Sequence, residues 1–297
     1  MTHVAPRSQV KIGHILLTFI ASVVITAQST VNGMMNDVTG NAIYTAVLVF
    51  ITGLATTFAV MLIRPRALRA FLAIGESVRT GGLKMWHLIG GVSGATFVSI
   101  QSGLVSATGV ALFTVAAVAG QTAGALLFDV TGIGPAGHKP LTLKRVSAAL
   151  LGVAGVVIAV SGGDMRVSAL GGAIVTLNGQ VAMRSGQPLA ATMVNFIGGL
   201  LVLCVVFTGQ QMVSASAYTA PPMPWEKPIL WLGGPFGVFF VLVAAAMAKS
   251  LGVFVFTLTS VLGQLSGAVL LEYLFPTQAT SLTWQLGVGL AVTGLAV

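Results

Sequence analysis

A stretch of about forty residues in this chain occurs twice, 143 positions apart and without a gap. Gly90, Gly91, Gly94, Phe97, Gly109, Phe113, Thr114, Gly120, Gln121, Gly124 and Asp129 are answered by Gly233, Gly234, Gly237, Phe240, Gly252, Phe256, Thr257, Gly263, Gln264, Gly267 and Glu272. The chain is two versions of one unit. Internal duplication in an apolar chain is the signature of transporters that alternate between two faces of a membrane.

The unit is apolar enough for that argument. Hydrophobic residues make up 56% of the 297 and charged residues only 7%, whereas a soluble globule needs about a quarter of its residues charged. Apolar runs of roughly twenty residues, the length that crosses a hydrocarbon core about 30 Å thick, recur along the whole chain. Lipid offers the backbone no hydrogen bonds, and the runs are too long for barrel strands, so helices are required. The expected fold is an all-α polytopic membrane protein with ten transmembrane helices. The spans are Ile12 to Met35, Ala42 to Ile63, Trp86 to Ser106, Gly109 to Phe128, Leu143 to Val160, Ser168 to Ala182, Pro188 to Phe207, Ile229 to Ala248, Gly252 to Leu271 and Ser281 to Val297. Cys204, the single cysteine, lies inside an apolar run and reads as packing.

The net charge of +8 is a topology signal rather than a nucleic-acid footprint. With the N-terminus inside, the inner segments hold twelve of the fourteen basic residues, and the outer ones only Arg166 and Lys227. That bias places both termini in the cytoplasm. Aromatics agree: Tyr44, Tyr218, Trp225, Trp231, Tyr273 and Trp284 fall at the expected outer interface and Trp86 at the inner one. The N-terminal stretch imitates a secretory signal. However, Thr30, Asn32, Gly33 and Gly40 recur as Thr176, Asn178, Gly179 and Gly186, so it is read as the first helix of a unit.

Phe50, Ile51, Gly53 and Leu54 match Phe196, Ile197, Gly199 and Leu200 at an offset of 146, and the fifth helices match weakly at 139. Each unit therefore has five spans: residues 12–161 and 162–297, after a cytoplasmic segment 1–11. Five is odd, so if both units fold alike the second is inverted in the membrane. Inverted repeats let the halves exchange conformations, which turns an inward-open cavity into an outward-open one. The alternative is that duplication merely built a ten-helix scaffold for a receptor-like or enzymatic role.

Within the repeat, Gly120 and Gly124, and Gly263 and Gly267, form small-xxx-small stripes for close helix approach. Gln121 and Gln264 lie near mid-depth, where an unpaired amide is expensive. Each follows a threonine, Thr114 or Thr257, by seven residues and so shares its face. A polar stripe facing a central cavity and hydrogen bonds that glue helices together both remain open. Asn32 and Asn178 form a second mirrored pair, placed by sequence near helix ends. Gln28 shares a face with Asn32 but is matched by Ile174, and Gln101 is matched by Ala244. Such asymmetry is where substrate specificity would reside. Phe97, Phe113, Phe240 and Phe256 are candidate apolar walls. Asp129 and Glu272 end the fourth helix of each unit, opposing its macrodipole at about 0.3–1 kcal/mol. Each then calls for a cationic partner or solvent, and together they are candidates for gating or coupling.

No acid or base lies mid-span, where proton-driven carriers usually place one. The four histidines show no metal-ligand spacing, and no residues suggest catalysis or a cofactor.

The paired units carry Asn32-Gly33, a Gly90-Gly91 start to the third helix, Gly109 at the hairpin and a Gly-Gln pair followed by an acid. In these the chain resembles the drug/metabolite transporter superfamily and, within it, the YdcZ-type family of inner-membrane exporters. The resemblance implies a ten-helix bundle whose cavity lies between the first, third and fourth helices of each half. It also implies small metabolites or drugs as substrates. The first helix lacks the glutamate of the small multidrug members, so their proton exchange does not transfer. Pro235 stands where the first unit has Val92 and is expected to kink the eighth helix. The chain stops within a hydrophobic run at Val297, the pattern of a truncated sequence.

The expected function is alternating-access export of a small neutral or zwitterionic organic solute across a bacterial inner membrane. The expected partners are that solute and the lipid bilayer, with no nucleic acid, and the protein is a monomer or homodimer. A flippase for lipids or lipid-linked carriers is the alternative. A non-transporting membrane binding or assembly protein is the third possibility.

Overall fold

The computed structural model describes residues 12–72, 90–118, 188–251 and 253–275, with isolated positions between 146 and 154 and between 284 and 292. The fifth, sixth and tenth expected spans and the inner part of the fourth lie outside the described residues. All regular structure among the described residues is helical.

The helices are α1 (Ile12–Thr39), α2 (Ala42–Ile63), α3 (Pro65–Leu72), α4 (Gly90–Thr108), α5 (Pro188–Ser214), α6 (Gly233–Leu251) and α7 (Val253–Leu274). Residues 110–118 are also helical, and a 3-10 turn, Pro228–Leu232, leads into α6. Three stretches, Ile12–Thr39, Ala42–Ile63 and Thr192–Ser214, are long and apolar enough to cross a membrane among the described residues.

Burial in α1 is inside out by the standards of a soluble protein. Thr18, Ser22, Thr26, Gln28, Ser29, Thr30 and Asn32 are buried, while Ile12, Leu16 and Ile20 face outward. That distribution is the one lipid selects, since lipid tails leave apolar side chains nothing to gain by moving inward. Cys204 also faces outward, so it is not a packing residue.

Local signals set the helix ends. Gly40 takes a left-handed φ of +67°, its N–H reaching Asn36 O at 2.8 Å, and so closes α1. Asn41 then caps α2, its Oδ1 accepting from the N–H groups of Ile43 and Tyr44. Gly109, at φ +81°, makes the same kind of break between α4 and residues 110–118. Pro235 falls in the first turn of α6, where no intrahelical N–H bond is needed, so it marks a start rather than a kink.

Helix α1 packs on α7, α6 and α4, and α2 packs on α5, α6 and α4. Two crossings repeat each other. Ideal Cβ atoms on Gly53 and Gly199 would overlap the rings of Phe196 and Phe50, respectively, so each ring fills the other helix's glycine notch. The two rings meet edge-on at 5.1 Å. Likewise Gly91 of α4 lies against Asn195 O and Gly199 N of α5, while Gly234 of α6 lies against Val49 O and Gly53 N of α2. Every residue in one contact is the 143- or 146-offset mate of a residue in the other. The mates run in opposite directions: Asn32 and Asp37 meet Gln101 and Ser106, so α4 is parallel to α1, whereas Asn32 and His14 meet Gly233 and Ser250, so α6 is antiparallel.

Candidate functional site: a polar face along α1

Polar residues of α1 divide into two sets. The half nearer the N-terminus carries hydroxyls at four-residue spacing, Thr18, Ser22 and Thr26, all essentially inaccessible. Each donates back to a carbonyl one turn earlier, which satisfies it locally. Across the interface, Ser22 Oγ lies 2.9 Å from Ser260 Oγ, and the single Thr26 hydroxyl hydrogen is shared between Ser22 O and Gln264 O, each at 3.2 Å. Gln264 Nε2 in turn donates to Ser260 Oγ at 3.2 Å. Gly263 rests on Phe19 O and the Ser22 side chain, and Gly267 on Val23 and Thr26. The Gly-Gln stripe of α7 therefore lies along α1 and is stitched to it by hydrogen bonds. The Gln264 amide nitrogen itself bonds within α7, to Ser260 one turn earlier, and it is the Gln264 backbone carbonyl that meets α1.

The other half carries amides at the same spacing, Gln28, Asn32 and Asn36. Asn32 is 0% exposed and stands seven residues inside the end of α1, not at a helix terminus. Its Nδ2 donates to Gln101 Oε1 at 2.8 Å, and Gln101 Nε2 donates to Ser29 Oγ at 2.6 Å. Gln101, 1% exposed, thus joins α4 to α1. Helix α6 brings two glycines, Gly233 and Gly237, against Asn32 and Gln28 of this row. Asn32 Oδ1 occupies the space a side chain at 233 would need, and Gln28 Nε2 lies 2.7 Å from where a Cβ at 237 would stand. Among the described residues, Asn32 Oδ1 and Asn36 Oδ1 are the buried side-chain polar atoms without a hydrogen-bond partner. One turn beyond Asn36, Gly40 lines a cavity of about 520 Å³ with Asn41, Ala42, Ile43, Gln210, Ser216 and Ala217.

The remaining expected residues are spread along the bundle. Phe97 and Phe113 meet at 5.9 Å, and Phe113 is buried with Val105, Val110 and Ala117. Thr114 is buried on the same helical segment. Phe240 and Phe256 are half-buried. Thr257 lies in α7 at a position whose side chain is not described, and Gln121, Asn178 and Asp129 lie outside the described residues. Glu272, expected at a rim, is 1% exposed. Its Oε2 accepts from the Ala111 backbone N–H at 3.3 Å, at the start of helix 110–118. The carboxylate that opposes its own helix's dipole thus sits at the positive end of another.

Sequence reasoning passed over Ser22, Ser260, Ser29 and Asn36. The four-residue spacing of hydroxyls and amides on α1 would have found two of them, Ser22 and Asn36. Ser260 announces itself only by the contact.

A family model described as "Putative inner membrane exporter, YdcZ" matches residues 14–158 and 167–297, most of the chain. No curated protein matches the sequence. Nine chains of solved structures resemble it in fold. One, described only as "Crystal structure of protein", shares 16% identity and a TM-score of 0.62 over 96% of this chain and 94% of that one, a likeness of fold alone.

Proposed function

Since the chain belongs to the YdcZ-type family of inner-membrane exporters, we propose that it is an alternating-access carrier of ten helices in two inverted five-helix units. It moves a small neutral or zwitterionic organic solute outward across the bacterial inner membrane, with both termini in the cytoplasm. The observation that carries this reading is the pair of equivalent crossings. Gly91 on α5 and Gly234 on α2 are one contact made twice by repeat mates, and the Phe50–Gly199 and Phe196–Gly53 notches are reciprocal. Reciprocity of that kind is what a twofold axis between the units produces. The antiparallel course of α4 and α6 supports the same axis.

In this reading α1 is the fixed member. Its hydroxyl half holds α7 through Ser22, Thr26, Ser260 and Gln264. Its amide half faces α4 and α6 and lines the solute path with Gln28, Asn32 and Gln101. Thr114, Thr257 and Gln121 are further lining candidates, with Phe97, Phe113, Phe240 and Phe256 as apolar walls. Release of α6 from α1 opens the path toward the cavity at Gly40. Glu272 and its mate Asp129 act as clasps, each forming when one side closes.

The test is transport by the purified protein in liposomes, against a broad metabolite panel, with variants of the lining. Flux that falls in Gln101→Ala while thermal unfolding is unchanged supports the carrier. An absence of flux for every solute, with lipid scrambling in its place, assigns the protein to the flippase class instead.

A further inference from the structure

The hydrogen-bond polarity along α1 shows which group the amide row lacks. Ser29 gives its one hydroxyl hydrogen to Ile25 O at 3.1 Å, so toward Gln101 it accepts. Gln101 must then present Nε2 to Ser29 and Oε1 to Asn32. Asn32 must present Nδ2 to Gln101, and its carbonyl oxygen is left at the end of the chain, facing Gly233. Reversing every bond would aim the two N–H bonds of Asn32 at the Cα–H of Gly233, donor against donor. The polarity seen gives at worst a weak Cα–H···O contact there. One turn along, Asn36 Oδ1 is likewise buried without a partner among the described residues.

Two bare acceptors therefore belong to residues one helical turn apart on α1, separated by a backbone rise of about 6 Å. A buried carbonyl oxygen without a donor is unfavourable by about 1–3 kcal/mol, so the state seen here lacks something that another state supplies. Gly233 lies against Asn32 and Gly237 against Gln28, so the covering helix approaches both amides closely and its displacement uncovers them.

Resting on the carrier reading above, we propose that Asn32 and Asn36 receive an N–H-rich group of the transported solute, a primary ammonium or a primary carboxamide. Two carbonyl oxygens repel a carboxylate and offer nothing to a group without polar hydrogens, and a primary ammonium or carboxamide carries two or three donors on one atom where a hydroxyl carries one. The solute's anionic or apolar end, if it has one, is then oriented away from α1.

Full-length protein in liposomes is assayed for flux of benzylamine, benzamide, benzyltrimethylammonium and methyl benzoate, alongside a metabolite panel sorted by N–H count. The first two probes bear N–H donors; the last two match them in charge and size without any. Benzylamine and benzamide are expected to move at least about tenfold faster than their partners, the worth of one net hydrogen bond. Asn36→Leu, at a half-buried position, removes that preference while thermal unfolding shows it folded. Asn32→Asp, which keeps an acceptor, retains a preference for benzylamine. Flux that ignores N–H count overturns this assignment and leaves the carrier standing. Flux of no solute at all removes both.

Discussion

The two halves of α1 carry the same spacing of polar residues and put it to opposite use. Between residues 18 and 26 every hydroxyl has a carbonyl to donate to, and α7 is bonded on through Ser260 and Gln264. Between 28 and 36 three amides share one hydrogen bond to another helix, from Asn32 to Gln101, and two carbonyl oxygens have none. A saturated interface has nothing to gain by opening. An unsaturated one can gain donors from a solute or from water when its cover moves. The contrast suggests that α1 and α7 move together while α6 parts from α1.

The largest expected effect comes from adding one methyl group to each half. A Cβ on Gly263 would stand 2.6 Å from Phe19 O, a backbone atom that cannot swing aside. Gly263→Ala should therefore destabilise the fold by about 1–3 kcal/mol, the usual range for overpacking. A Cβ on Gly237 would meet only the far end of Gln28. Gly237→Ala should melt within about 1 kcal/mol of wild type, helped by the better helix propensity of alanine, yet lose transport because Gln28 is displaced. Equal melting losses at the two glycines would erase the contrast between the halves.

Much of this was legible beforehand, and the part that was not has a physical reason. The repeat of Gly90 to Asp129 at Gly233 to Glu272 foretold matching helices, and the pairing of Gly91 with Gly234 held down to the backbone atoms they touch. Gly109 was legible as a helix break because only glycine enters the left-handed region cheaply, and Gly40 makes the same break at the end of α1. What could not be read was which helix lies against which face. Nothing in the Gly-Gln pattern foretold that Ser260, one turn before Gln264, would meet Ser22 of α1. Asn32 and Gln101, 69 residues apart, carry no local sign that they meet. Glu272 looked like a rim charge because its helix ends there, and its buried setting depends on Ala111, in the other unit.

A smaller effect separates the halves by hydrogen bonding alone. Ser22→Ala removes a bond that crosses to α7, and such bonds in membrane proteins average about 0.6 kcal/mol with a maximum near 1.7. Thermal unfolding in detergent should fall by that amount, with transport retained. Asn36→Ala removes an oxygen that has no partner, so its melting temperature should hold or rise while transport falls. A loss of stability at Asn36 larger than at Ser22 would mean that the amide row is structural after all.

The smallest effect is expected at the far end of α7, where it meets helix 110–118. Glu272 closes α7 onto helix 110–118 by accepting from Ala111 N–H, where the first-turn amides of that helix have no carbonyl of their own. Glu272→Gln keeps an acceptor for Ala111 N–H and removes the charge, so the loss at this contact is the charge–dipole part, about 0.3–1 kcal/mol. Glu272→Ala also strands a buried N–H and should lose more. Because this clasp joins the second unit to the first, the Gln variant should open more easily and change flux more than stability. Asp129 occupies the matching position in the first unit. If the two acids carry coupling, an imposed pH gradient drives flux in wild type and drives none in a Glu272→Gln, Asp129→Asn double variant. Gradient-driven flux surviving in that variant would leave the acids as clasps only, with the switch between faces resting on the unsaturated half of α1.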